Sequence, residues 1–159
     1  MSTRRIAIPL GLPALLAVAL AIPALACPPS LSVERPANAS SRDARDAFVL
    51  VHAYQGCHPG QLTVSGSAEG LVGGERRTIP LEVWSTETPG LYRVPQQWPR
   101  QGVWVLRLVV TVGDSHATAL VGINASGQVT TVRQPARDGR VIRDPSDADV
   151  EALLRSLAA

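Results

Sequence analysis

The alternation of apolar and polar positions predicts a series of short β-strands followed by one helix. The clearest segment is 103–112, in which two sets of side chains alternate along the chain. The predicted core-facing set is Trp104, Leu106, Leu108, Val110 and Val112. A period of two is typical of a strand that buries one face, so Arg107 and its alternate neighbours are expected on the outer face.

The remaining strands are predicted from similar but weaker patterns. They cover residues 47–54, 62–68, 79–84, 91–98, 116–123 and 128–132. Turns rich in Gly, Pro, Asn and Asp separate them, as expected for hairpin connections. About seven short strands at this spacing predict an all-β fold, an immunoglobulin-like antiparallel sandwich over residues 46–133.

A helix is predicted at the end of the chain. Ser146 and Asp149 have the spacing of a capping box, in which each residue satisfies a free amide at the start of a helix. An apolar stripe follows at helical spacing, formed by Val150, Leu153, Leu154 and Leu157. We expect residues 144–159 to dock on an edge or end of a sheet, after an irregular linker at 134–143.

The first 26 residues have the three-part layout of a bacterial signal peptide. A basic start with Arg4 and Arg5 precedes a long apolar run, which ends in Ala24-Leu25-Ala26 directly before Cys27. The mature chain is therefore expected outside the cytoplasm, in the periplasm or at the outer cell surface. Residues 27–45, rich in Pro, Ser, Ala and charge, are expected to form a flexible tether.

The Ala26–Cys27 bond is open to two kinds of processing. A small residue before Cys suits the lipoprotein pathway, in which Cys27 is acylated and anchors the chain to a membrane. Ala-x-Ala also suits general signal peptidase, which would release a soluble protein. In that case Cys27 is free to form a disulfide with Cys57 in an oxidising compartment.

The charge composition of the chain limits the classes of molecule that it is expected to bind. The chain has 15 basic and 13 acidic residues, and loss of Arg4 and Arg5 with the signal leaves 13 of each. A near-neutral mature chain without a basic cluster does not indicate nucleic-acid binding. Membrane contact is expected only through a lipid on Cys27.

Two strands carry a family resemblance. Pro89-Gly90-Leu91-Tyr92, followed by a Gly-x-Trp-x-Leu strand at 102–106, resembles exported bacterial immunoglobulin-like domains of the YtkA-like and FixH-like kind, over residues 47–123. The resemblance implies an extracytoplasmic sandwich, in a group sometimes associated with copper handling or oxidase assembly. It implies no catalytic residues.

The candidate metal ligands are concentrated in one segment. His52, Cys57 and His58 lie within seven residues, and a thiolate with two imidazoles suits copper or zinc. His116 is a further candidate ligand. Because the spacing is loose and the mature chain has no methionine, we expect no cofactor and keep a copper-handling module as the alternative.

Catalysis is the less favoured hypothesis. A thiol enzyme centred on Cys57 would need a base and an orienting acid beside it, and adjacent His58 has unfavourable geometry for that role. Trp84 and Trp98 offer a binding surface, since exposed indoles dock partners readily. We therefore expect a non-catalytic binding or assembly module of the cell envelope, with an envelope protein or surface component as its partner.

Overall fold

The computed structural model describes residues 28–36, 44–56, 61–138 and 141–159, which fold as a β-sandwich. The predicted signal segment 1–26, together with Cys27, Cys57 and His58, lies outside the described residues. Along the chain the elements are β1 (Ser30–Glu34), β2 (Val49–Tyr54), β3 (Leu62–Val72), β4 (Glu75–Leu81), β5 (Trp84–Ser85), β6 (Leu91–Val94), β7 (Val103–Val112), β8 (Ser115–Ile123), β9 (Val129–Arg133), β10 (Ala136–Asp138), β11 (Val141–Arg143) and α1 (Asp147–Ala158).

Two antiparallel sheets enclose the main core. One has the order β1-β2-β6-β5 and the other the order β4-β3-β7-β8-β9. The predicted core face of β7 is confirmed, since all five of its apolar side chains are at most 2% exposed. Trp104, Leu106, Leu108 and Val110 share one core cluster with three residues of β2 that alternate inward from the opposite sheet, Val49, Val51 and Ala53.

Trp104 packs directly over a glycine in the neighbouring strand. Gly70 of β3 is its cross-strand partner, and a Cβ at Gly70 would overlap the indole ring. The indole Nε1 donates a hydrogen bond of 2.9 Å to the carbonyl oxygen of Gln101. The absence of a side chain at Gly70 therefore allows the indole to approach the β3 backbone closely. The indole N–H is buried with a hydrogen-bond acceptor.

The flexible tether predicted for residues 27–45 is wrong in its first part. Pro29 is buried, and Ser30–Glu34 form β1, the edge strand that pairs with β2 from Ser30↔Tyr54 to Glu34↔Leu50. Leu31 is 4% exposed and Val33 packs beside it against the core. The sandwich therefore begins at residue 30 rather than 46, because two inward apolar side chains are sufficient to hold a short edge strand.

The single strand predicted at 79–84 is divided between the two sheets. β4 ends at Leu81 in the five-stranded sheet, and β5 begins at Trp84 in the four-stranded sheet. The amide side chain of Gln97 holds the crossing point. Its Oε1 accepts from the Glu82 backbone N–H at 2.7 Å, and its Nε2 donates to the Glu82 carbonyl at 2.8 Å. Gln97 thus replaces the strand partner that Glu82 lacks where the chain leaves one sheet for the other.

The C-terminal helix forms as predicted but docks elsewhere. Its Ser146–Asp149 capping box is confirmed, and the hydrogen bonds from Ser146 hold the pKa of the Asp149 carboxyl below its usual value. Val150, Leu153 and Leu154 pack on Val103, Val105 and Leu120. The helix therefore covers the outer face of the five-stranded sheet, not an edge or end, because that face of β7 and β8 is itself apolar.

Charged residues surround this apolar contact between helix and sheet. Arg107 of β7 pairs with Glu69 of β3 and with Asp147 of α1, while Arg76 of β4 pairs with Glu69 and Glu151. Arg107 and Arg76 thus each link the five-stranded sheet to α1, and both share Glu69.

The irregular linker predicted at 134–143 is also wrong. β10 and β11 form a small antiparallel ladder there, with Ala136 opposite Arg143. The sequence pattern missed these strands because each is only three residues long, which is too short to show a clear alternation. Within the described ranges, none of the helices has the length and apolar character needed to cross a bilayer.

Candidate functional site

The outer face of the four-stranded sheet is the candidate site, and we call it the open face. It is defined by the outward side chains of four strands, set by the register of the ladders. They are Ser30, Ser32, Glu34, Leu50, His52, Tyr54, Trp84, Leu91 and Arg93. Among the described residues, Ala44 and Ala47 pack on Leu50 and Leu91 in the middle of this face. No described helix covers it in the way that α1 covers the opposite sheet.

Trp84 and Arg93 form the most distinctive pair on the open face. They are direct partners between β5 and β6, and the Arg93 Cζ lies 4.9 Å from the centre of the indole ring. Trp84 remains 42% exposed. A guanidinium stacked on an indole is held in place by the electron-rich ring, so the two groups keep a fixed arrangement on this face.

Tyr54 adds a second exposed aromatic side chain. It is 54% exposed and lies on β2, on the same face as His52. Strands are about 4.8 Å apart and residues about 3.4 Å apart along a strand. Tyr54 and Trp84 are separated by two strand spacings and four residues of β2, so their backbones are roughly 16 Å apart. This span suits an extended contact surface rather than a small-molecule pocket.

His52 is already engaged by a carboxylate. Its Nε2 lies 3.0 Å from Oε1 of Glu34, and the two side chains are 34% and 57% exposed. They sit diagonally across the β1–β2 ladder, a separation that long polar side chains can bridge. One of the two imidazole nitrogens therefore faces a carboxylate that the sequence did not indicate.

His116 lies on the opposite side of the molecule. Its Nε2 is 3.2 Å from Oδ2 of Asp144, whose Oδ1 accepts a hydrogen bond of 2.8 Å from the Thr118 backbone. His52 and His116 point outward from different sheets, and stacked sheets are about 10 Å apart. The suggestion that His116 joins His52 in one metal site is therefore wrong.

The other candidate metal ligands receive no structural description. Cys57 and His58 fall in the gap between Gly56 and Gln61, outside the described residues. The described part of the chain contains no group of three or more His, Cys, Asp or Glu side chains arranged to hold an ion. The copper-handling alternative keeps only His52, Cys57 and His58.

Trp98 occupies a different environment from Trp84. It is 4% exposed and makes an edge-to-face contact with Phe48, with ring centres 5.0 Å apart. Its indole therefore belongs to the core, and of the two tryptophans considered as a binding surface only Trp84 is exposed.

Arg93 and Glu34 were not predicted from the sequence, because their contacts depend on pairing between strands that are distant along the chain. The position of Tyr54 on this face could have been predicted, because Tyr54 and His52 are two residues apart in a predicted strand and therefore lie on the same side of it.

Comparison with known proteins supplies no family for this arrangement. The chain matches no protein-family model, no curated protein and no solved structure.

Proposed function

We propose that this protein is an exported, lipid-anchored binding module of the bacterial cell envelope, with an immunoglobulin-like sandwich that holds a protein partner through its open face. The observation that carries the proposal is the Trp84–Arg93 stack, which is exposed on that sheet face. Trp, Tyr and Arg are the residue types that dominate binding energy at protein interfaces. The pattern of residues 1–27 supports export and acylation, and the arrangement favours recognition over catalysis.

The register of β1 and β2 bears on whether Cys27 is acylated or forms a disulfide with Cys57. Cys27 and Cys57 each lie three residues beyond the Ser30↔Tyr54 pair, so the ladder leads toward both. Acylation of Cys27 removes its thiol and leaves Cys57 without a cysteine partner. An unacylated Cys27 would instead leave two thiols that can form a bridge in an oxidising compartment.

We expect the mature protein to carry lipid on Cys27 and one free thiol on Cys57. Labelling cells with a fatty-acid analogue should tag the protein, and Cys27→Ser should abolish the tag while Cys57→Ser retains it. Intact mass and thiol counting on the same sample complete the measurement. A protein without lipid, lighter by two hydrogens than its reduced form, would contradict the anchor and establish the bridge.

Partner binding is expected to depend on Trp84. Benzoylphenylalanine, a photo-crosslinking residue, is introduced in cells in place of Ser32, a partly exposed residue of the open face, and should give a discrete protein adduct. Excess purified mature domain should compete for that adduct. The Trp84→Ala domain should compete at least tenfold less well, because truncating an interface anchor typically costs about 2 kcal/mol or more.

Val132→Ala provides the matched control for Trp84→Ala. Val132 is 40% exposed, close to the 42% of Trp84, but it lies on β9 in the other sheet. This domain should compete as well as wild type. Equal competition by all three domains would show that the open face is not the binding surface.

A further inference from the structure

The link between Cys27 and the folded body is very short. Pro29 is buried and Ser30 already pairs in β1, so only Pro28 separates Cys27 from packed structure. Two residue steps of chain span at most about 7 Å. An acyl group on Cys27 would therefore hold one particular end of the sandwich at the membrane surface.

The ladders identify the residues at that end. Ser30 is opposite Tyr54, and the Ala53 N–H donates to the Gly90 carbonyl at 2.8 Å. The start of β1, the end of β2 and the start of β6 therefore lie together. We call this region the anchor end and define it by Ser30, Tyr54, Leu62 and Pro89.

A cleft opens between the two sheets at the anchor end. It has a volume of about 570 Å³, and its described lining includes Tyr54, Leu62, Pro89 and Tyr92. Tyrosine suits the boundary between lipid and water, because its ring is apolar and its hydroxyl is polar. Tyr54 is more than half exposed, so it is available to the headgroup layer without rearrangement.

We propose that the anchor end rests on the phospholipid headgroups, with Tyr54 and Pro89 in contact with the bilayer and the open face standing beside the membrane. This inference rests on the acylation of Cys27 given under the proposed function. The sandwich is then held in one orientation by its anchor, whereas a long tether would leave all orientations accessible.

Site-specific photo-crosslinking in the full-length protein in cells tests the contact. Benzoylphenylalanine at position 54 should yield phospholipid adducts detectable by mass spectrometry. The same group at Ser126, an exposed turn residue after β8 at the opposite end, should give only background adducts. Equal yields at the two positions, or no adduct at position 54 in acylated protein, would overturn the proposal.

A spacer variant separates the effect of the short link from intrinsic lipid affinity. Twenty Gly and Ser residues inserted between Cys27 and Pro28 would give an average reach of roughly 25 Å. The adduct at position 54 should then fall several-fold while fatty-acid labelling of Cys27 is unchanged. An unchanged adduct would contradict the role of the short link. Loss of labelling in the parent protein would instead refute the lipid anchor itself, so the two failures are distinguishable.

Discussion

Trp104→Ala is expected to lower the free energy of unfolding by about 3–5 kcal/mol, as truncation of a buried aromatic side chain usually does. The indole is 1% exposed and covers Gly70, which has no side chain to fill the space left behind. Gly70 therefore cannot compensate for the lost ring, and a cavity is expected between β3 and β7. Chemical denaturation of the purified mature domain measures the loss.

Arg107→Ala is the matched control on the opposite face of the same strand. Arg107 pairs with Glu69 and Asp147, but its side chain is 27% exposed, and Glu69 keeps its 2.6 Å pair with Arg76. Partly exposed ion pairs are worth about 1 kcal/mol or less. A cost for Arg107→Ala equal to or above that for Trp104→Ala would reverse the assignment of the two faces.

Leu154→Ala is expected to destabilise the domain by about 2–5 kcal/mol. Leu154 is fully buried between α1 and the outer face of the five-stranded sheet, where it belongs to the cluster with Val103, Val105 and Leu120. Removing its side chain opens a cavity in a second core, distinct from the one between the sheets. Denaturant unfolding monitored by circular dichroism gives the change.

The neighbouring residue tests whether the helix is an integral part of the fold. Arg155 is exposed, and its Nε donates to the Glu151 carbonyl one turn earlier. Arg155→Ala should change stability by no more than about 0.5 kcal/mol, as surface substitutions usually do. If Leu154→Ala were equally mild, the helix would contribute little to the stability of the sandwich.

Local patterns predicted the elements whose signals lie within one segment. β7 has the bounds expected from its alternation, and α1 has the capping residues and apolar stripe expected from its spacing. Both depend on residues at most eleven positions apart. The two-sheet arrangement also follows in outline, because short strands with one apolar face must pack against each other.

Features that depend on distant pairing were not predicted. β1 looks like a tether because its two apolar residues sit among Pro, Ser and charge, and only β2 makes it a strand. The strand at 79–84 has one continuous alternation, yet its halves pair with β3 and β6 in different sheets. The Trp84–Arg93 stack is likewise set by register, so the candidate site was only partly visible from the sequence.

The passage of the chain from one sheet to the other at Glu82 affects how the protein unfolds. A single segment supplies an edge strand to each sheet, and Gln97 fastens its middle through two hydrogen bonds to one backbone unit. Separation of the two sheets would break these two hydrogen bonds and would remove the edge strands β4 and β5 at the same time. We therefore expect the two layers to unfold as one cooperative unit.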